Sequence, residues 1–166
     1  ETDVIEHLVN PGHEMRRLFR MLKPGGVIYL STPNKLSPVN ILCDPHFSLP
    51  FVALLSRKNV RFILADILKK QPRERIDFPE LYDLKTLWRH LAGIGFELGL
   101  VNSKAAAYAF RHPQAIWNRD SHLRIIELLK KSGAADFVER HISDSPDLFN
   151  IWLNPTWYMI AKKLQE

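Results

Sequence analysis

Asp3-Val4-Ile5-Glu6-His7, a charged amphipathic segment running into Leu22-Lys23-Pro24-Gly25-Gly26, and then Val27-Ile28-Tyr29-Leu30-Ser31-Thr32-Pro33-Asn34 form the stretch that decides the fold. Asn10 can cap a helix that carries Pro11 in its first turn. Met15, Leu18, Phe19 and Leu22 repeat at i, i+3, i+4 and i+7, which puts them on one buried face, with Arg16, Arg17, Arg20 and Lys23 on the other. Lys23 in the last turn suits the negative end of the helix dipole, and Pro24-Gly25-Gly26 stops the helix. Residues 27–30 are apolar in unbroken succession, as in a parallel strand covered on both faces. Helix, stop and buried strand make the second half of a βαβ crossover, so the chain is expected to begin inside a fold. Ser31-Thr32-Pro33-Asn34 then leaves the carboxyl end of the strand, the edge at which open α/β sheets place their ligands.

Downstream, residues 35–79 contain Pro38, Pro45, Pro50, Pro72 and Pro79 and an apolar, basic stretch from 51 to 70. A connection this long is expected to be a helical lid over the ligand edge. From Glu80 the pattern settles: Leu84, Leu87, Trp88 and Leu91 predict a helix ending near Gly93 or Gly95, and residues 96–101 predict a strand. Residues 105–150 read as a second insertion, with a helix over 113–131 and an apolar segment around Phe137-Val138. Residues 156–163 read as a last strand, so that 151–166 closes the sheet. Trp88, Trp117, Trp152 and Trp157 are assigned to the core by default.

The composition bounds the function. At 166 residues and 46% hydrophobic side chains the chain supports one core. No unbroken apolar stretch marks a signal peptide in the first twenty residues. The longest apolar region, 47–68, is interrupted by Arg57, Lys58, Asn59 and Arg61, which argues against a membrane span. The single cysteine, Cys43, has no partner for an internal disulfide, and no Cys/His group has zinc-site spacing, so a reducing, cytoplasmic location is expected. The formal charge of +5 is spread along the chain instead of forming a basic arm, so no nucleic-acid partner is expected. Position 1 is Glu, which suggests a processed chain or a fragment.

Asp3, Glu6 and His7 stand at i, i+3 and i+4 and, in a helical turn, project from one face. Two acids and an imidazole can act as general base, proton shuttle or hard-metal ligands. The order of residues 1–34 resembles the middle of the class I S-adenosylmethionine-dependent methyltransferases of the type 11 and type 12 group. In that family a D/E-x-x-E-H turn follows the fourth strand, and L-K-P-G-G precedes the fifth. The resemblance continues through the helix and Gly95-Phe96-Glu97 to residue 104, and returns in Asn154-Pro155-Thr156-Trp157-Tyr158-Met159-Ile160-Ala161-Lys162-Lys163.

The resemblance implies an α/β fold, the C-terminal half of a Rossmann-like seven-stranded sheet with helical insertions, and S-adenosylmethionine as cofactor. No glycine-rich strand-to-helix loop precedes the block, so most of the cofactor site is expected upstream. Glu1, Thr2 and Asp3 are placed on the cofactor side, and Glu6 and His7 on the substrate side, where His7 is a candidate base. Alternatively, Glu6 braces the next loop and His7 bonds a backbone carbonyl. Some quinone-pathway members bind a divalent ion through E-x-x-E-H; here the first acid is Asp3, one carbon shorter, and no metal is assigned. Asp44-Pro45-His46-Phe47-Ser48-Leu49-Pro50-Phe51 resembles a D-P-H-x-x-L-P element after the fifth strand. It nominates His46 as base or orienter, with Phe47 and Phe51 lining an apolar pocket, unless the loop merely packs on its own aromatics. Asn34 either bonds the acceptor or serves as a turn residue after Pro33.

The functional expectation is methyl transfer from S-adenosylmethionine to a small-molecule acceptor, with this chain as the substrate-side half, inactive alone. The competing reading is a non-catalytic remnant, an interaction protein that pairs its sheet edge with a missing N-terminal half or with itself. A third feature is the stretch 57–70. There Leu55, Val60, Ile63, Leu64, Ile67 and Leu68 against Arg57, Lys58, Arg61, Lys69 and Lys70 suit either an anionic membrane surface, as for a lipid acceptor, or a packed lid helix.

Overall fold

The computed structural model describes residues 4–72, 74–116 and 120–164. A 3-10 turn at Ile5–His7 leads into helix α1 (Pro11–Met21) and strand β1 (Val27–Pro33). The Asn10 side chain accepts from the His13 N–H at 3.0 Å and caps α1 as expected. The far end of α1 is closed by a residue that local sequence does not point to. Lys163, at the end of the chain's last strand, donates its ammonium to the carbonyls of Phe19 and Leu22 at 3.1 and 3.0 Å, the group that a helix C-terminus favours. Gly25 and Gly26 bond the Lys163 backbone in both directions, and a Cβ on Gly26 would lie 2.8 Å from the Lys23 carbonyl.

The lid follows as α2 (Pro38–Leu42), a 3-10 turn at Val52–Leu54, and α3 (Arg57–Arg61), which continues as a π-helical turn over Phe62–Ile67. Helix α4 (Leu84–Ile94) ends on Gly95, whose φ of 113° needs a glycine, and strand β2 (Phe96–Leu100) begins at once. Five short helices fill the second insertion: α5 (Asn102–Arg111), α6 (Pro113–Ile116), α7 (Asp120–Lys131), α8 (Ala134–His141) and α9 (Leu148–Trp152). The single helix expected over 113–131 is thus described as two pieces, α6 and α7. Strand β3 (Thr156–Lys163) closes the chain on the expected residues.

The sheet order is β1-β3-β2, with β3 antiparallel to both neighbours. β1 and β2 therefore run parallel, and the last strand inserts between them. Leu30, Met159 and Leu100 lie in register across the sheet and belong to one core with Ile5, Met15, Leu84, Leu87, Leu91, Phe96, Trp157 and Ala161. That core is the seam between one sheet face and helices α1 and α4. The expectation that β1 is covered on both faces is corrected: Val27 and Tyr29 point away from the seam and are 51% and 42% exposed. Of the four tryptophans, Trp157 is fully buried, Trp88 packs at the edge of the core, Trp152 is half exposed, and Trp117 lies outside the described residues. Among the described residues no helix is long and apolar enough to cross a membrane.

Asp83 caps α4, its carboxylate accepting from the Thr86 N–H at 2.8 Å. Burial alone would raise this carboxyl's pKa, but the Thr86 hydrogen bonds outweigh it and hold the pKa below the ordinary value. A depressed folded pKa contributes stability that is present above the unfolded pKa and is lost as pH falls through the folded one. Asp83→Ala is expected to cost about 1 kcal/mol at neutral pH, and the two proteins should converge in acid below the carboxylate range. Denaturant titrations at both pH values check this.

Candidate acceptor site at the carboxyl end of β1

Glu6 is fully buried just before α1, and its position is set from three directions. Its backbone carbonyl accepts from Arg57 Nη2 at 2.9 Å and from the Glu80 N–H at 3.0 Å, which ties the turn to the lid helix α3 and to the segment before α4. Its Oε2 accepts from the Thr32 hydroxyl at 3.0 Å, fixing the carboxylate against the end of β1. Oε1 is left facing His46, whose Nε2 stands 3.8 Å away. His46 is 16% exposed, and its other nitrogen, Nδ1, lies 3.9 Å from Asp44 Oδ1. Asp44 is buried and anchors this loop by accepting from the backbone N–H groups of His46 and Phe47, both at 2.9 Å. The His7 ring meets His46 edge-on, with centroids 4.8 Å apart.

Among the described residues, three buried side-chain polar atoms lack a hydrogen-bond partner: Glu6 Oε1, His46 Nδ1 and Arg57 Nη1. Glu6 Oε1 faces His46, His46 Nδ1 lies on the Asp44 side of the ring, and Arg57 reaches the Glu6 backbone carbonyl. Leaving a buried polar group unmade costs about 1–3 kcal/mol, so unpartnered atoms on three neighbouring residues near the ligand edge give this region the character of a binding site. Half-buried His7 and partly exposed His46 give it access to solvent.

Glu6, His7 and His46 each offer one ligand atom within 4.8 Å of the others. Two imidazoles and a carboxylate, with Asp44 behind one imidazole, are a donor set able to take a divalent ion. The sequence assigned no metal; the third donor, His46, reaches the pair only through the fold.

The structure redistributes the other sequence candidates. Asn34 is fully buried and committed to the scaffold. Its amide nitrogen donates to the carbonyls of Ile151 and Asn154 at 3.0 and 2.8 Å, and its oxygen accepts from the Leu36 N–H. The acceptor reading of Asn34 is therefore corrected: it has no group free for one. Phe47 packs with Phe78 into a small second core under the lid, between rings 6.5 Å apart. Phe51 is 61% exposed at a left-handed φ of 65° and lines no pocket with Phe47. Glu1, Thr2 and Asp3 lie outside the described residues. Sequence reading missed Arg57 and Tyr82 as site residues. Tyr82 pairs with Asn34 in an isolated bridge beside the cluster, and burial, then the Glu80 charge, raises its phenol pKa. An apolar groove of about 430 Å³ lined by Leu84, Lys85, Trp88, Arg89, Pro146 and Ile151 shares no residue with the cluster.

The last strand thus runs antiparallel between two parallel ones, with a polar cluster near the end of β1. A family model described as a methyltransferase domain matches residues 2–100, more than half of the chain. The chain belongs to that family, whose methyl donor is S-adenosylmethionine. No curated protein matches it. Two solved structures of phosphoethanolamine N-methyltransferase 2 from Haemonchus contortus are similar over 99% of this chain at 15% identity. One is a complex with phosphomonomethylethanolamine and S-adenosylhomocysteine (TM-score 0.39), and the other a complex with S-adenosyl-L-methionine (TM-score 0.41). The chain covers 32% of each, about a third of their length.

Ser31 and Thr32 at the strand end are buried, Thr32 is spent on Glu6, Asn34 is spent on the scaffold, and no described glycine-rich loop joins a strand to a helix.

Proposed function

We propose that this chain is the acceptor-side half of an S-adenosylmethionine-dependent methyltransferase acting on a small molecule that must lose a proton as it is methylated, a hydroxyl or an acidic carbon. The observation that carries this reading is the buried Glu6 carboxylate near the carboxyl end of β1, whose unpartnered Oε1 faces His46 Nε2 at 3.8 Å. The cofactor supplies an electrophilic methyl group. What the enzyme adds is alignment, exclusion of water and removal of the acceptor's proton.

His46 is the proton acceptor. An imidazole is suited to that task near neutral pH, and this one is the partly exposed member of the cluster, standing between two carboxylates, Glu6 and Asp44. The Glu6 charge stabilises the imidazolium that forms. Asp44 holds the loop so that Nε2 faces the site, and His7, edge-on to His46, limits rotation of the ring. Arg57 clamps the lid onto the Glu6 carbonyl and so shelters the cluster from water. The chain is expected to be inactive until a cofactor-binding half accompanies it. Its exposed single cysteine, Cys43, suits a reducing cytoplasmic setting.

The test is transfer of labelled methyl from S-adenosylmethionine to a panel of phenolic, aliphatic-hydroxyl and carbon-acid acceptors, using the chain joined to a cofactor-binding half, with and without chelator. Turnover that survives chelation supports His46 as base. Turnover lost to chelator and restored by a divalent ion assigns Glu6, His7 and His46 to a metal instead. Activity indifferent to substitutions in the cluster overturns the placement of the acceptor.

A further inference from the structure

The lid carries two sets of apolar side chains with different fates. Val60, Leu64 and Ala65 turn inward and, with Val52 and Phe78, form the small core beneath the lid, against which Phe47, Leu49 and Leu55 pack. This corrects one sequence-based picture, in which Val60 and Leu64 belonged to a membrane-facing stripe. The second set points outward: Leu42, Phe51, Leu54, Phe62, Ile67 and Leu68 are 67, 61, 40, 56, 58 and 44% exposed. Phe51 has a left-handed backbone, and its N–H bonds the Ile41 carbonyl at 2.6 Å, which ties this residue to α2. A phenylalanine at positive φ is an unfavourable backbone state that surrounding contacts must enforce.

The same segment holds the charge. Residues 35–71 contain six Lys or Arg against two Asp, +4 of the chain's formal +5, and one ion of each sign, Asp44 and Arg57, is taken up by the acceptor site. Lys58, Lys69 and Lys70 are exposed among the outward apolar residues. A strongly basic surface studded with large exposed apolar side chains is ill suited to a purely apolar protein partner, which would have to desolvate the ammonium groups. It matches a surface that takes apolar groups into its interior and offers anions at its rim, which is the composition of an anionic bilayer.

We propose that the outer face of the lid docks on an anionic phospholipid surface, with Phe51, Phe62 and their apolar neighbours entering the headgroup boundary and Lys58, Lys69 and Lys70 meeting acidic headgroups. Docking needs no turnover, so it stands or falls separately from the methyl-transfer reading. If both hold, the acceptor is one that resides in or leaves from the membrane.

The experiment is co-sedimentation of the purified chain with phosphatidylcholine vesicles made with and without phosphatidylserine. Binding is expected to vesicles with phosphatidylserine and not to phosphatidylcholine alone. It should weaken about tenfold or more when salt is raised from about 0.1 to about 0.5 M, because screening shortens the reach of the lysines. Phe62→Ser, and separately the pair Lys69→Glu with Lys70→Glu, should each reduce vesicle binding about tenfold while circular dichroism stays unchanged. No binding to acidic vesicles overturns the proposal. So does concentration-dependent self-association in analytical ultracentrifugation that Phe62→Ser abolishes, since a second copy would then be what covers this face.

Discussion

His46→Ala, in the chain accompanied by a cofactor-binding half, is expected to lower kcat about 100- to 10,000-fold, the usual span for loss of a positioned general base. Glu6→Gln should lower it less, about 10- to 100-fold, since the imidazole remains and only the charge opposite it is gone. The side chain of Glu6 is buried and braced by Thr32, and its carbonyl holds Arg57 and the Glu80 N–H, so the isosteric glutamine keeps both braces. A merely structural role for His46 would give the same loss without repair. Added imidazole therefore discriminates: it should restore part of the His46→Ala activity by entering the space that the ring vacates, and do nothing for Glu6→Gln. A His46→Ala protein with wild-type turnover would remove His46 from the reaction.

The second large effect concerns stability. Asn150 is fully buried and sits at the centre of the network that fastens the second insertion to the sheet. Its amide nitrogen donates to the carbonyls of Ser143 and Ser145, both at 2.7 Å. Its side-chain oxygen accepts from Asn102 at 2.9 Å and Asn154 at 3.0 Å, and its backbone carbonyl accepts from the Trp157 indole at 2.8 Å. Alanine at this position strands the buried amides of Asn102 and Asn154 and takes a donor from the partly buried Ser143 carbonyl. With each orphan costing about 1–3 kcal/mol and partial relaxation or water entry recovering some of it, a loss of about 3–4 kcal/mol is expected. Trp157→Phe removes one bond while keeping most of the packing, and should cost clearly less, about 1–2 kcal/mol. Urea titrations of the three proteins test the order. Near-wild-type stability for Asn150→Ala would mean that the insertion is held by its apolar contacts instead.

The elements were legible where periodicity and punctuation agree. Asn10 with Pro11, the Gly95 stop and the strand at 156–163 rest on short-range rules that local residues satisfy by themselves, while of the face expected on α1, Met15, Phe19 and Leu22 meet the core and Leu18 is 38% exposed. The helix expected across 113–131 is helical at 113–116 and 120–131, and residues 117–119 lie outside the described residues. In the site, Glu6 and His7 were legible from a motif, and His46 from a second one. Their convergence was not, because α1, β1 and the start of the lid lie between them and no spacing rule spans such a distance. Arg57 read as one more cation in a basic stretch, and Asn34 as either an acceptor ligand or a turn residue. The fold recruits Arg57 to the Glu6 carbonyl and commits Asn34 to backbone bonds, among them one to the Leu36 N–H two residues on.

What the sequence by itself determined is the local grammar: which segments coil, which extend, where they stop, and that an acid and an imidazole follow one another just ahead of the first helix. Those properties depend on neighbours a few residues apart. Only the tertiary structure decided that the last strand inserts between β1 and β2, that its terminal Lys163 closes α1, that Asn34 builds scaffold instead of site, and that His46 faces Glu6. Each of these pairs groups far apart in the chain, and such pairings are selected by the summed burial and hydrogen-bond satisfaction of the whole fold, which no local window contains.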